Sequence, residues 1–193
     1  MKAILLAAGR GTRIASTVEM VPKSTLPIDG EPLIRRSVAL LQKAGMQCIV
    51  CTGYKEEKVK EALEGMEKIT YCYNPFFDVT NSLASLWFAR EEMDDDLIIM
   101  NADVFFTEEI LTALLKDKRS PVMAIDRSRV QEGDYFFKTA WNGRIEKYGK
   151  GLPIELRSCE YVGMAKVEKS FLPLFKKRME ERQTAESQPP ILP

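Results

Sequence analysis

The residues with the most chemistry to offer are a glycine-rich cationic turn and a carboxylate at the end of an apolar run. Leu6-Ala7-Ala8-Gly9-Arg10-Gly11-Thr12-Arg13 closes an apolar N-terminal stretch. A glycine turn of this kind brings backbone N–H groups against a phosphate, and Arg10 and Arg13 stand beside it. Pro22-Lys23 supplies another cation shortly after. Two nucleotide motifs are excluded: Ile14 stands where the dinucleotide fingerprint has its third glycine, and the closing G-K-[ST] of a P-loop is absent. Taken alone, the segment is also consistent with a surface turn carrying solvated arginines. Further on, Ile98-Ile99-Met100-Asn101-Ala102-Asp103 puts a carboxylate just past an apolar strand. Magnesium takes oxygen ligands, typically one or two carboxylates beside substrate phosphates. Asp103 is therefore a candidate metal ligand, with a helix-capping or turn aspartate as the alternative. Asp94-Asp95-Asp96 reads as a solvated loop.

Composition narrows the chemistry further. The 193 residues contain no histidine, which removes imidazole general bases, Ser-His-Asp and Cys-His nucleophiles and His-ligated zinc. Lys+Arg and Asp+Glu number 28 each, so there is no basic excess of the kind a general nucleic-acid binder carries. No nucleic-acid partner is expected. Cys48-Ile-Val-Cys51 lies in an apolar strand-like run, where residues three apart point to opposite faces. No second pair completes a zinc site, so the four cysteines are expected to be buried reduced thiols. The apolar N-terminal stretch is too short for a signal sequence, and no run approaches a membrane span. A soluble, cytoplasmic protein without membrane insertion is expected.

The elements that must position these residues alternate. Strands are predicted at Ala3–Ala8, Gln47–Thr52, Lys68–Tyr73, Leu97–Met100, Pro121–Asp126 and Tyr161–Val167. Between them, helices are predicted from Pro32 to Gly45, over Lys55–Glu64, from Ser82 to Met93, and after a cap at Thr107. Asp134–Ala140 and Arg144–Tyr148 flank Asn142-Gly143, a strong hairpin signal. Ser170–Arg182 reads as a basic amphipathic helix, followed by a disordered tail over 183–193. The pattern predicts a single α/β domain over residues 1–182. Its mixed, mostly parallel sheet is flanked by helices and carries a small antiparallel hairpin insertion. Ligands of such a sheet sit at the carboxyl ends of the strands, where the Gly9–Arg13 turn, the loop before Ser82, and Asp103 all fall.

Two further sets of residues could read a substrate. The free N–H groups of a helix starting after Asn81, with Asn81 and Ser82 themselves, suit a base edge, and simple capping is the alternative. Thr52 and Gly53, closing a strand, are a second candidate for base contact. The aromatic residues include Trp141 and Tyr161, beside Asp78, Asp134 and Glu160, and suit a cationic head group. The same aromatics at strand and helix spacing also suit core or hairpin packing.

Leu6–Arg13, followed by Pro22-Lys23-Ser24-Thr25-Leu26-Pro27-Ile28-Asp29-Gly30-Glu31-Pro32-Leu33-Ile34, resembles the signature of the nucleotidyltransferases that make nucleoside-diphosphate sugars and alcohols. The Asn74–Trp87 segment is similar to the branch containing bacterial CTP:phosphocholine cytidylyltransferases. The resemblance implies a Rossmann-like fold and magnesium-dependent transfer of CMP from CTP to phosphocholine or a similar small phosphorylated alcohol or amine, with release of pyrophosphate. A sugar-1-phosphate or inositol-phosphate acceptor, and a catalytically weak nucleotide-binding domain, are the alternatives. It further implies that Leu6, Ala8, Gly9, Arg10, Gly11 and Thr12 hold the nucleotide, that Arg13 favours the leaving pyrophosphate, and that Lys23 bridges the reacting phosphates. Asp103 would bind Mg2+. Glu160-Tyr161-Val162-Gly163 resembles the family's E-x-x-G segment, which places Glu160 on the acceptor side with Tyr161 and Trp141. The family's second metal-binding aspartate has no counterpart after Glu168, so its closing segment is expected to be missing.

Overall fold

A computed structural model describes residues 1–10 and 21–186, except for the side chains of 183–186. The chain starts with strand β1 (Lys2–Leu6), a 3-10 turn (Lys23–Thr25), the short strands β2 (Pro27–Ile28) and β3 (Glu31–Pro32), and helix α1 (Leu33–Lys43). It continues through β4 (Gln47–Thr52), α2 (Glu56–Ala62), β5 (Ile69–Tyr73), α3 (Ser82–Phe88) and β6 (Leu97–Asn101). The remaining elements are α4 (Glu108–Lys116), β7 (Val122–Asp126), β8 (Phe136–Thr139), β9 (Ile145–Gly149), β10 (Cys159–Val167) and α5 (Leu172–Glu186).

Local chemistry explains the boundaries. Helix α1 ends in a glycine of positive φ: the N–H of Gly45 donates to the Gln42 carbonyl and that of Met46 to the Leu41 carbonyl. This pair of bonds satisfies carbonyls that the helix end would otherwise orphan. Asp29 and Gly30, both at positive φ, turn the chain between β2 and β3. The helix predicted from Ser82 to Met93 stops sooner, at Ala89, and tightens into a 3-10 turn over Arg90–Glu92. Thr107 holds the N-cap position of α4 but makes no capping bond with its side chain. The last helix begins at Leu172, after a 3-10 turn over Lys169–Phe171, and its backbone runs past residue 182 to Glu186. Residues 187–193, the rest of the expected tail, lie outside the described residues.

The main sheet has the order β5-β4-β1-β6-β10-β8-β9, with β7 paired on β10. Strands β5, β4, β1 and β6 run parallel. Strand β10 then enters antiparallel to β6, β7 and β8, and β8–β9 is the expected hairpin. Strand β1 lies between β4 and β6, and its residues Ala3, Ile4 and Leu5 are fully buried. The sheet separates two apolar layers. One packs Leu5, Val50 and Met100 against Ile34 and Leu41 of α1 and Leu111 and Leu114 of α4. The other packs Ile4, Ile49 and Leu97 against Leu86 of α3 and Leu172 and Met179 of α5.

The cysteines follow the expected alternation: Cys48 belongs to the first layer and Cys51 to the second. All four are free thiols, and burial pushes that of Cys48 up to about 12. Among the described residues no helix is long and apolar enough to cross a membrane.

Candidate active site

A cleft of about 360 Å³ opens at the carboxyl ends of the parallel strands. Its floor continues β1. Past Leu6 the backbone stays tied to both neighbours: Ala7 donates to the Cys51 carbonyl, Ala102 to the Leu6 carbonyl, and Tyr54 to the Ala8 carbonyl. These bonds deliver Gly9 to the cleft, where it lines the wall with Leu6 and Ala8.

Lys23 and Asp103 line the same cleft, although 80 positions apart in sequence. The 3-10 turn carries Lys23 in, and the end of β6 carries Asp103. Neither side chain has an ion pair or hydrogen bond to another described residue. An ammonium and a carboxylate that share a cavity, each without a partner among the described residues, leave their charge available to a ligand. Asn101 also faces the cleft, just before Asp103.

Gly163 is what lets β10 pass this point. Its φ is +83°, and a Cβ built there would lie 2.7 Å from Asn101 Nδ2 and 3.0 Å from Val104 Cγ2. The register of β10 against β7 shifts here, between Tyr161 and Ala165. The glycine of the E-x-x-G segment thus has a backbone reason. Gly163→Ala is expected to lower unfolding free energy by about 1–3 kcal/mol, measurable by urea titration.

The opposite wall is the segment after β5. Asn74 is 1% exposed and organises it. Its Oδ1 accepts from the Phe76 N–H at 2.9 Å, and its Nδ2 donates to Thr80 Oγ1 at 3.1 Å and Ser85 Oγ at 3.0 Å. Its own N–H donates to the Thr52 carbonyl, which ties the wall to β4. The result presents Thr80, Asn81, Ser82 and Ser85 to the cleft, with Phe77 among them. Asn81 also caps α3, its side chain accepting from the Leu83 N–H at 2.9 Å.

The third wall comes from the β7–β8 connection. Asp134 lines the cleft, and its N–H donates to Glu160 Oε1 at 2.9 Å. Glu160 also pairs with Arg129 at 3.2 Å. The guanidinium of Arg157 lies 3.8 Å from the Phe136 ring centroid and donates to the carbonyls of Val130, Gln131 and Leu152. A Cβ at Gly133 would lie 2.4 Å from Glu160 Oε1, so a larger residue there would displace that carboxylate.

The candidate residues from the sequence therefore fall into four groups. Leu6, Ala8, Gly9, Lys23, Asn81, Ser82 and Asp103 line the cleft together. Arg10, Thr52, Gly53 and Glu160 stand behind it or at its edge. Thr52 is buried with its hydroxyl donating to Glu56 Oε2, while Gly53 lets Ala8 and Phe77 approach where a Cβ would collide with both. Glu160 holds the Asp134 loop from beneath. Trp141 and Tyr161 are not brought to the cleft. Trp141 is 99% exposed beside the hairpin turn, and Tyr161 packs on Phe137, its hydroxyl pushed up to about 12 by burial. Gly11, Thr12 and Arg13 lie outside the described residues.

Sequence reasoning missed Asn74, Thr80, Ser85 and Asn101, whereas Asp134, named as a carboxylate for a cationic head group, does line the cleft. Ser85 is one helical turn beyond Asn81, on the same face, which is a usable signal. The hub role of Asn74 has none, because it depends on burial.

Residues 3–152 match the MobA-like NTP transferase domain. Choline-phosphate cytidylyltransferase of Haemophilus influenzae is 34% identical over 130 residues, which is 67% of this chain and 54% of that protein. CMP-5'-(3-aminopropyl)phosphonate synthase of Streptomyces rubellomurinus is 32% identical over 131 residues, 66% of this chain and 21% of that protein. The chain thus spans about a fifth to about half of the length of such relatives. Among solved structures, the inositol-1-phosphate CTP transferase from T. maritima superposes with a TM-score of 0.72 at 21% identity, covering 91% of this chain and 74% of that one. The CTP:phosphocholine cytidylyltransferase from Streptococcus pneumoniae gives 0.69 at 19% identity, covering 96% and 78%. At these identities the structural likeness is one of fold. The sequence match takes in the Gly9 turn, Lys23 and Asp103, and the chain belongs to the MobA-like NTP transferase family.

Proposed function

We propose that the chain transfers CMP from CTP to phosphocholine or a similar small phosphorylated alcohol or amine, releasing pyrophosphate. The observation that carries this reading is the pairing of Lys23 and Asp103 in one cleft, each without a partner among the described residues. The two relatives at 32% and 34% identity add support, since both are named for cytidylyl chemistry on a small phosphonate or phosphate.

The acceptor's phosphate oxygen is already anionic, so its attack on the α-phosphorus needs no general base. One P–O bond forms to that oxygen as the bond to the departing pyrophosphate breaks. The obstacle is repulsion between two anions and charge gathering on the leaving group. The backbone around Gly9 can hold the nucleotide's phosphates. Lys23 offsets charge where donor and acceptor phosphates meet, and Arg13 is assigned to the leaving pyrophosphate. Thr80, Asn81, Ser82 and Ser85 offer hydroxyl and amide groups to the base or ribose.

The donor set also fits a hard divalent cation. Asp103, whose carboxylate has no partner among the described residues, lies in a cleft that would hold phosphates, with the Asn101 amide beside it. Mg2+ held there would supply Lewis-acid polarisation of phosphate oxygens.

A pyrophosphate-release screen across the four NTPs tests the reading, with phosphocholine, 3-aminopropylphosphonate, inositol 1-phosphate and glucose 1-phosphate as acceptors. Release with CTP and an amine-bearing acceptor is expected. Release only with a sugar or inositol phosphate would overturn the acceptor class, and CTP binding without turnover on any acceptor would overturn catalysis.

A further inference from the structure

Arg10 and Asp78 close the rim of the cleft between two of its walls. Arg10 directly follows Gly9, and Asp78 directly follows Phe77, both of which line the cavity. Their side chains meet at two points, Nε to Oδ1 at 2.5 Å and Nη2 to Oδ2 at 2.7 Å. The same guanidinium lies 5.6 Å from the centroid of the Tyr54 ring. A strap therefore joins the turn after β1 to the segment after β5. Both side chains remain about half exposed, at 53% and 43%.

A guanidinium fork engages a carboxylate and a phosphate with the same two-point geometry. What Asp78 now offers Arg10, a nucleotide phosphate would offer with more charge. Lys23 in the same cleft has no such partner among the described residues. Among the described residues, one phosphate-seeking cation is thus without a partner and a second is already engaged.

We propose that Asp78 is a positioning residue that competes with the nucleotide's phosphates for Arg10 and so sets the affinity for NTP. The proposal rests on the reading of this cleft as an NTP site. In the free protein Asp78 holds Arg10 at the rim. An arriving triphosphate takes the guanidinium, the strap opens, and the carboxylate returns to water. An exposed ion pair of this kind is weak, so the exchange costs little, and salt screens it. A nucleoside without phosphates leaves the strap closed.

Asp78→Asn tests this, because it keeps the side chain's size and removes its charge. KM for CTP is expected to fall about threefold, and the calorimetric Kd for CTP to fall in parallel. The Kd for cytidine should not move, and the difference from wild type should shrink at high salt. In an Arg10→Ala background Asp78→Asn should have no effect. Asp78→Ser is the second variant, and a thermal melt verifies that each is folded. An unchanged or raised KM in folded Asp78→Asn would overturn the proposal, as would an equal gain in the Arg10→Ala background. Wild-type protein that binds no NTP would instead refute the cleft reading on which the proposal stands.

Discussion

Lys23→Ala is expected to lower kcat for nucleotidyl transfer about 100- to 1,000-fold. That is the cost of removing one preorganised electrostatic contact from a developing charge. The expectation is specific because Lys23 makes no ion pair or hydrogen bond to another described residue. Its ammonium is not holding the 3-10 turn together. That turn is closed by its own backbone, with Thr25 N–H and Oγ1 both donating to the Pro22 carbonyl. The melting temperature should therefore stay within the spread of ordinary surface substitutions. Steady-state kinetics together with a thermal melt check both halves. Retained kcat would remove Lys23 from the mechanism, and a large loss of stability would recast it as a structural residue.

Asp103→Asn is the second large effect. The change keeps the shape and removes the charge, so a hard cation loses its carboxylate. Turnover should fall at least about 100-fold. The more telling measurement is calorimetry of CTP with and without Mg2+. Wild-type protein should bind CTP more tightly when Mg2+ is present, and Asp103→Asn should lose most of that enhancement. Stability should change by less than about 0.5 kcal/mol, because the carboxylate makes no bond to another described residue. An intact Mg2+ enhancement in the variant would move the metal elsewhere.

Both anchors were legible in the sequence for the same reason. Each follows an apolar or signature-bearing segment that fixes where the chain must turn, and strand ends are where such sheets place ligands. The hairpin was legible from Asn142-Gly143, and that turn also accounts for the exposure of Trp141 beside it. A turn signal outranked an aromatic side chain as a guide to position. Cys48 and Cys51 showed the same force of local rule, since strand alternation alone put them in different layers. Features arising from contact between distant segments were not legible. Asn74 is a wall-building residue only because Thr52, Phe76, Thr80 and Ser85 converge on it. Glu160 was placed on the acceptor side by resemblance, yet it touches the cleft through the backbone of Asp134. The early end of α3 was also missed: the apolar spacing runs on to Met93, while the backbone tightens at Ala89.

The position of β1 has a consequence for how the molecule comes into being. Among the described strands β1 comes earliest in sequence, yet it lies inside the sheet, hydrogen-bonded to β4 on one edge and to β6 on the other. It cannot complete its pairing until Asn101 has left the ribosome, so about half of the chain must emerge before Ala3, Ile4 and Leu5 are shielded from water. Pairings this distant in sequence carry a loop-closure cost before they yield contacts, and they slow folding. Through that interval the apolar β1 is exposed to association with other nascent chains. A permuted chain that began at α1 would make β1 after both of its partners, β4 and β6, and so remove that wait.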